Sequence, residues 1–388
     1  MTVEAVTFDA DAAVAAAQSL LDENRYSEAE RALRAVLIRE PHHVSALWTM
    51  ASLLSRVALW DESVDTFLTL ARAVPQFAEA GYTNALNMRM LAVQERLRGS
   101  QGRLAERHLP GKMPPAAGFP PELPIFQAST ARLDDMLEAM DKYGCLVIRN
   151  LMPRETALQL QDIVRRTYED CDRALADITA GKAPVSSEFF LATDFTKSDV
   201  GTPMFREFGS ILMMEAPAAT NEFLYNLKKT RAIDLARRYL GSEPYVGVGK
   251  SSVRRSEISS KVKRVFHQDA TFFGGIGTAT INFWVALSDA GIDRPGVQIL
   301  PHKLDRELVR GQAGTFVGWE IFEETIADLF GLDKLWAPAV EPGDAIVFDQ
   351  MNVHRTYLTP GMTQDRFAVE CWLFPAREKY STYGLAVV

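Results

Sequence analysis

The stretch at 264–275, RVFHQDATFFGG, decides how this chain reads. His267 and Asp269 stand two apart. In an extended strand such residues point to the same side, so an imidazole and a carboxylate converge on one ion. A lone His-X-Asp is a common chance pairing, and it gains meaning from the segments C-terminal to it. TATINFWVALSDAG (278–291) and GVQILPH (296–302) are short runs of β-branched and aromatic residues between glycine and proline breaks, and they predict sheet strands. EPGDAIVFDQMNVHRTY (341–357) then brings a turn at Pro342, Gly343 and Asp344, an apolar strand, and a second histidine, His354. Farther along, Arg366 opens the strand-like run RFAVECWLF. Two histidines and one carboxylate form the facial triad suited to iron(II), with three protein ligands leaving three open positions. An arginine near the distal histidine supplies a fork that a second carboxylate can occupy. Arg355 is the weaker anchor, because a residue adjacent to His354 in a strand faces the other way. Of the remaining histidines, His42, His43 and His108 lie N-terminal to this region, and His302 has no carboxylate at ligand spacing.

In this order the pieces resemble the phytanoyl-CoA dioxygenase-like branch of the iron(II)/2-oxoglutarate-dependent oxygenases, from about Met136 to Pro375. The resemblance opens with YGCLVIRNLMPRETALQLQ (143–161), read as a glycine, an apolar strand and then a helix. It continues through FHQD, NFWVALSDA, GVQILP and PGDAIVF. It implies an α+β chain whose C-terminal part is a double-stranded β-helix, or jelly roll, flanked by helices. It further implies that His267, Asp269 and His354 bind Fe(II), that Arg366 pairs with the distal carboxylate of 2-oxoglutarate, and that Trp284 lines that pocket. With O2 as oxidant, the implied reaction hydroxylates a C–H bond of a small-molecule, carrier-bound or peptide substrate and releases succinate and CO2. A carboxylate at Asp269 favours hydroxylation over halide transfer, although desaturation and ring closure use the same centre. Two departures stand out: Pro301, His302 and Lys303 occupy a segment that often reads proline, glycine, serine, histidine, and KSSVRRSEISSKVKR (250–264) is unusually basic, with Lys250 the candidate for a further co-substrate contact. Two alternative functions remain: a cupin-like metal isomerase or lyase that leaves Arg366 idle, and a repeat-based adaptor with a silent barrel.

Working outward toward the N-terminus, a shift of 34 residues superposes Tyr26 on Trp60, Ala29 on Ser63, Leu33 on Phe67 and Pro41 on Pro75. Each unit reads as two amphipathic helices, with a small residue for close approach and a proline as a stop. The pattern resembles the tetratricopeptide repeat in two units, followed by a capping helix from Ala78 to Leu97. Such helices hold a protein partner, pack on the second domain or self-associate. The proline-rich LPGKMPPAAGFPPELP (109–124) predicts a stiff connection. The expected organisation is therefore a helical repeat domain at 1–108, a linker at 109–129 and an oxygenase domain at 130–388.

Composition sets outer bounds. An apolar fraction of 47% over 388 residues is enough for two cores. A net charge of −8 spread along the chain argues against a nucleic-acid partner. No basic-then-apolar leader or membrane-length apolar run is evident, which predicts a cytoplasmic protein without a membrane partner. Cys145, Cys171 and Cys371 are too few and too scattered for a disulfide framework or a cysteine-rich zinc site. One local exception to the acidic balance is the run containing Lys250, Arg254, Arg255, Lys261, Lys263 and Arg264, opposed within it only by Glu257. It predicts either a solvated edge or a positive field at the pocket mouth that draws in an anionic substrate.

Overall fold

The structure is a computed structural model that describes residues 8–99, 118–198, 200–273, 279–314, 316–375 and 378–388. His108, residues 109–117 of the expected linker, and Gly274 and Gly275 lie outside the described residues. The chain divides into two compact units, Met1–Glu95 and Arg96–Val388.

The first unit carries α1 (Ala10–Asp22), α2 (Tyr26–Arg39), α3 (Val44–Arg56), α4 (Trp60–Ala73) and most of α5 (Ala78–Gly99). The 34-residue period is physical. α1 and α3 have 13 residues each and begin at 10 and 44, α2 and α4 have 14 each and begin at 26 and 60, and α5 starts at 78. The turns repeat too, since Asn24 and Ala58 share a φ of 59°. Ala29 and Ser63, one period apart, are both fully buried, and the Ser63 hydroxyl donates to the Ala51 carbonyl at 2.8 Å. Small side chains there let paired helices approach. Gly81 does the same for α5, because a Cβ at that position would stand 2.8 Å from the Ala71 Cβ.

The second unit contains β1 (Ile125–Gln127), α6 (Leu133–Tyr143), β2 (Cys145–Arg149), α7 (Arg154–Thr179), α8 (Thr202–Glu207), β3 (Ser210–Leu212), α9 (Pro217–Leu227), α10 (Ala232–Leu240), β4 (Pro244–Gly247), β5 (Ser252–Ser256), β6 (Ile281–Ala286), β7 (Gly296–Ile299), α11 (Glu323–Phe330), β8 (Ala345–Asp349), β9 (His354–Tyr357), β10 (Arg366–Pro375) and β11 (Leu385–Ala386). Among the described residues a nine-stranded sheet runs β1-β2-β8-β6-β10-β4-β11, with β5 also on β10 and β3 on β5. Its pairs are antiparallel except β1–β2. β1 falls in the segment read as linker. It holds no proline itself, and a proline-flanked strand is tolerated at a sheet edge. A smaller sheet pairs β7 with β9 and is extended by bridges between Phe266 and Ile321, His267 and His354, and Ile299 and Trp336. The two sheets agree with the expected jelly roll, and α7 and α10 pack on the larger one.

β6, β8 and β10 are buried along their whole length, which is why they read as near-continuous apolar runs. The turn into β8 is tightly specified. Gly343 has φ 96°, and a Cβ there would lie 2.3 Å from the Met152 carbonyl oxygen. Asp344 accepts from the backbone N–H groups of Asn150 at 2.8 Å and Glu341 at 3.0 Å, and pairs with Arg149 at 2.6 Å. This turn aims β8, and through it the strand that begins at His354. All three cysteines are buried and free. No described helix is long and apolar enough to cross a membrane.

Candidate active site

His267 and His354 are brought together by the backbone. Each donates its N–H to the other's carbonyl, at 3.0 and 3.1 Å, and the rings lie 4.4 Å apart between centroids. Gln268 is extended, and Asp269 opens a 3-10 turn, Asp269–Phe272. The same-side placement expected for a strand is thus completed by that turn. His267 Nε2 stands 3.7 Å and His354 Nε2 3.4 Å from the two Asp269 carboxylate oxygens. One ligand atom from each of the three residues fits within 4.8 Å of the others.

The outer ring nitrogens define the chemistry. His267 Nδ1 faces the Val265 carbonyl at 3.2 Å and His354 Nδ1 faces that of Asn352 at 3.2 Å. A carbonyl can only accept, so each Nδ1 carries the proton and each Nε2 presents its lone pair inward. Burial lowers the pKa of both imidazoles; for His354, burial and the neighbouring His267 push it down to about 3. Neutral imidazoles are what a divalent ion requires. Asp269 is 5% exposed, and its Oδ2 has no hydrogen-bond partner among the described residues. Burial, then Glu370, raises its pKa well above the carboxylate range. An orphaned buried carboxylate oxygen between two inward lone pairs fits a bound cation.

A cavity of about 310 Å³ opens beside this cluster, with Arg366, Trp284, Arg254, Glu370 and Trp372 among its lining. Arg366 is 1% exposed; among the described residues one guanidinium nitrogen is occupied, by Ser256 Oγ, and its Nε and Nη1 are buried without partners. Trp284 lies under the guanidinium, 4.8 Å from its carbon to the ring centroid. Burial and the nearby Arg254 push the Arg366 pKa down to about 9. A buried cation with two idle donors fits a carboxylate. The five residues predicted from sequence therefore border one cavity. Arg355 is engaged elsewhere, with Glu323 at 2.6 Å and Gln298 at 2.8 Å. His302 stacks on Phe119 with centroids 5.0 Å apart. Lys303 forms a buried structural contact with Asp349 and the Tyr239 hydroxyl.

Glu370 escaped the sequence reading. It shares the inward face of β10 with Arg366 and pairs with Arg254. Burial works to raise its pKa, but Arg254 outweighs that and holds it below the usual value. The available signal was a charge in the middle of an apolar strand, which must have a buried partner. The basic run requires a correction. It is opposed by acids distant in sequence: Arg254 by Glu370, Arg255 by Asp365 at 3.0 Å, and Lys263 by Glu320 at 2.5 Å. Arg264 turns to the carbonyls of Val262 and Glu257.

No curated protein sequence matches the chain. Among solved structures, similarity extends to the epimerase SnoN in complex with Fe3+, alpha ketoglutarate and nogalamycin RO, at 14% identity over 63% of this chain and 83% of that one, with a TM-score of 0.38. The alpha ketoglutarate dependent carbocyclase SnoK from nogalamycin biosynthesis gives 13% identity over 64% and 85%, with a TM-score of 0.41. The non-heme monooxygenase ThoJ, as its nickel complex, gives 15% over 62% and 77%, with a TM-score of 0.37. The family model described as Phytanoyl-CoA dioxygenase (PhyH) matches residues 140–359. That match takes in more than half of the chain, both histidines and Asp269, and on it this chain belongs to the phytanoyl-CoA dioxygenase family.

Proposed function

We propose that the chain hydroxylates a C–H bond of a small-molecule substrate, with His267, Asp269 and His354 holding iron and Arg366, backed by Trp284, holding 2-oxoglutarate. Family membership makes it a 2-oxoglutarate-dependent non-haem iron enzyme, with Fe(II), 2-oxoglutarate and O2 as its cofactor and co-substrates. The observation that carries the residue assignment is the pair of unmet buried valences in one cavity: Asp269 Oδ2, and Arg366 Nε with Nη1.

When bound, the iron and 2-oxoglutarate supply oxygen activation for C–H oxidation, with release of succinate and CO2. The chain supplies placement and electrostatics. His267 and His354 offer neutral Nε2 donors locked by their Nδ1 hydrogen bonds, and Asp269 supplies one negative charge. Arg366 takes the far carboxylate and sets the orientation of the co-substrate. Phe273, Phe348 and Trp372 form an aromatic wall, with Phe273–Trp372 centroids at 4.9 Å, that keeps water from the inner side. A cupin-type reaction without 2-oxoglutarate would leave the Arg366 guanidinium unused, so its two idle donors support the oxygenase. The 34-residue two-helix units support a tetratricopeptide-type N-terminal domain, available to a protein partner or to self-association.

The test is succinate formation. Wild-type protein with iron(II) and 2-oxoglutarate is expected to produce it, and His354→Ala with unchanged circular dichroism is expected not to. Wild-type turnover by His354→Ala would refute the triad assignment.

A further inference from the structure

Around the open side of His267 lies a chain of aromatic rings contributed by three separate segments. Phe272 stands 6.4 Å from the His267 ring, Trp319 5.6 Å from Phe272, and Phe208 6.2 Å from Trp319, between centroids. Phe272 is 37% exposed, and Phe208 and Trp319 are half-buried, all three lining the cavity. In a rim of ordinary composition these positions would carry polar side chains, since three large rings held half in water forgo burial that each could have gained.

The charges near this rim are each engaged within the protein. Lys263 is held by Glu320 at 2.5 Å, Arg206 by Asp172 at 2.7 Å and Glu257 at 2.9 Å, and Arg355 by Glu323 at 2.6 Å. Lys250 and Arg264, which also line the cavity, are held without an acid among the described residues: Lys250 lies over the Tyr383 ring, 4.9 Å from its centroid, and Arg264 turns to the carbonyls of Val262 and Glu257. The cavity volume, about 310 Å³, is at the lower end of the ~300–1,000 Å³ typical of small-molecule sites. With the co-substrate inside, only the reacting end of a substrate fits, and its remaining body must rest on the rim.

We infer that the substrate is an uncharged molecule with a planar, unsaturated or aromatic body, which stacks against Phe272, Trp319 and Phe208 while its reacting carbon enters beside His267. This rests on the oxygenase reading above. Offset or edge-on ring contacts contribute ~0.5–1.5 kcal/mol each beyond area burial, so losing one weakens binding by about two- to thirteenfold.

The test uses full-length protein loaded anaerobically with iron(II) and 2-oxoglutarate, with 2-naphthol, 2-naphthoate and 1-octanol as probes in equilibrium titrations at low and high salt. 2-Naphthol is expected to bind more tightly than 1-octanol, independently of salt, and to lose about fivefold in Trp319→Leu and in Phe272→Leu. The two variants come from different segments, so one that misfolds leaves the other to decide. Tighter, salt-sensitive binding of 2-naphthoate would overturn the inference in favour of an anionic substrate. Equal binding of octanol and naphthol, or wild-type affinity in both variants, would overturn it as well. The iron-to-2-oxoglutarate charge-transfer absorption is recorded in the same samples. If the band forms and naphthol fails to bind, only this inference falls; if the band never forms in wild type, the oxygenase reading falls with it.

Discussion

Replacing Arg366 by lysine keeps a positive charge in the cavity and removes the fork. In the native protein one N–H of Nη2 is committed to Ser256, while Nε and Nη1 are buried and idle among the described residues, so a carboxylate arriving there gains two parallel bonds, one from an idle nitrogen and one from the second N–H of Nη2. Each charge-assisted bond is worth ~1.5–3 kcal/mol. An ammonium in the same place makes one of them, and the loss of the other corresponds to about a 10- to 150-fold weaker 2-oxoglutarate affinity. The assay is calorimetric titration of 2-oxoglutarate into anaerobic iron-loaded protein, with iron affinity measured separately and expected to stay near wild type. Arg355→Lys serves as the comparison, because Arg355 is already held by Glu323 and Gln298 and its loss should leave 2-oxoglutarate binding unchanged. Affinities for Arg366→Lys within twofold of wild type would refute the anchor assignment, and a selective loss in Arg355→Lys would move it there.

The same electrostatics dictate three further outcomes. Asp269 has a raised pKa in the metal-free protein, so the folded state binds its proton more tightly than the unfolded chain does, and this group's contribution to stability falls as pH rises through that window. Metal-free Asp269→Asn should therefore melt no lower than wild type at neutral pH while losing the stabilisation that added iron gives, as measured by calorimetry; a lower melting temperature would mean that the carboxylate is satisfied. Because both imidazoles are already neutral near neutral pH, iron binding below the raised Asp269 pKa should displace about one proton, giving a slope of about one in log affinity against pH, whereas a slope near three would contradict the locked tautomers. Glu370→Ala should destabilise the second unit by about 1–3 kcal/mol in denaturant unfolding, because it leaves the partly buried Arg254 charge without its acid; no measurable change would show that the pair is solvated.

The legible parts of this site were those governed by local periodicity. Arg366 was legible as the charge opening a strand beyond the distal histidine, where the resemblance implies an anchor, and the spacing of His267 and Asp269 brought them to one point, although a 3-10 turn completes the placement. The 34-residue helical period was readable because small and aromatic residues recur where helices touch. What could not be read were partnerships across long sequence separations. Asp365, Glu320 and Glu370 pair with three cations of a run that looked wholly exposed and positive, because their distance along the chain conceals their contact in space. The strand at Ile125–Gln127 was hidden for a related reason: its register is set by β2, and the prolines around it advertise a loop. The aromatic rim likewise assembles from residues 208, 272 and 319.

The most direct test of the central claim is an anaerobic crystal structure of the protein with iron(II) and 2-oxoglutarate, using anomalous scattering at the iron edge to place the metal. One iron is expected about 2.0–2.2 Å from His267 Nε2, an Asp269 carboxylate oxygen and His354 Nε2, with the distal carboxylate of 2-oxoglutarate on the Arg366 guanidinium. An anomalous peak on any other set of side chains, or a co-substrate carboxylate bound away from Arg366, would contradict it.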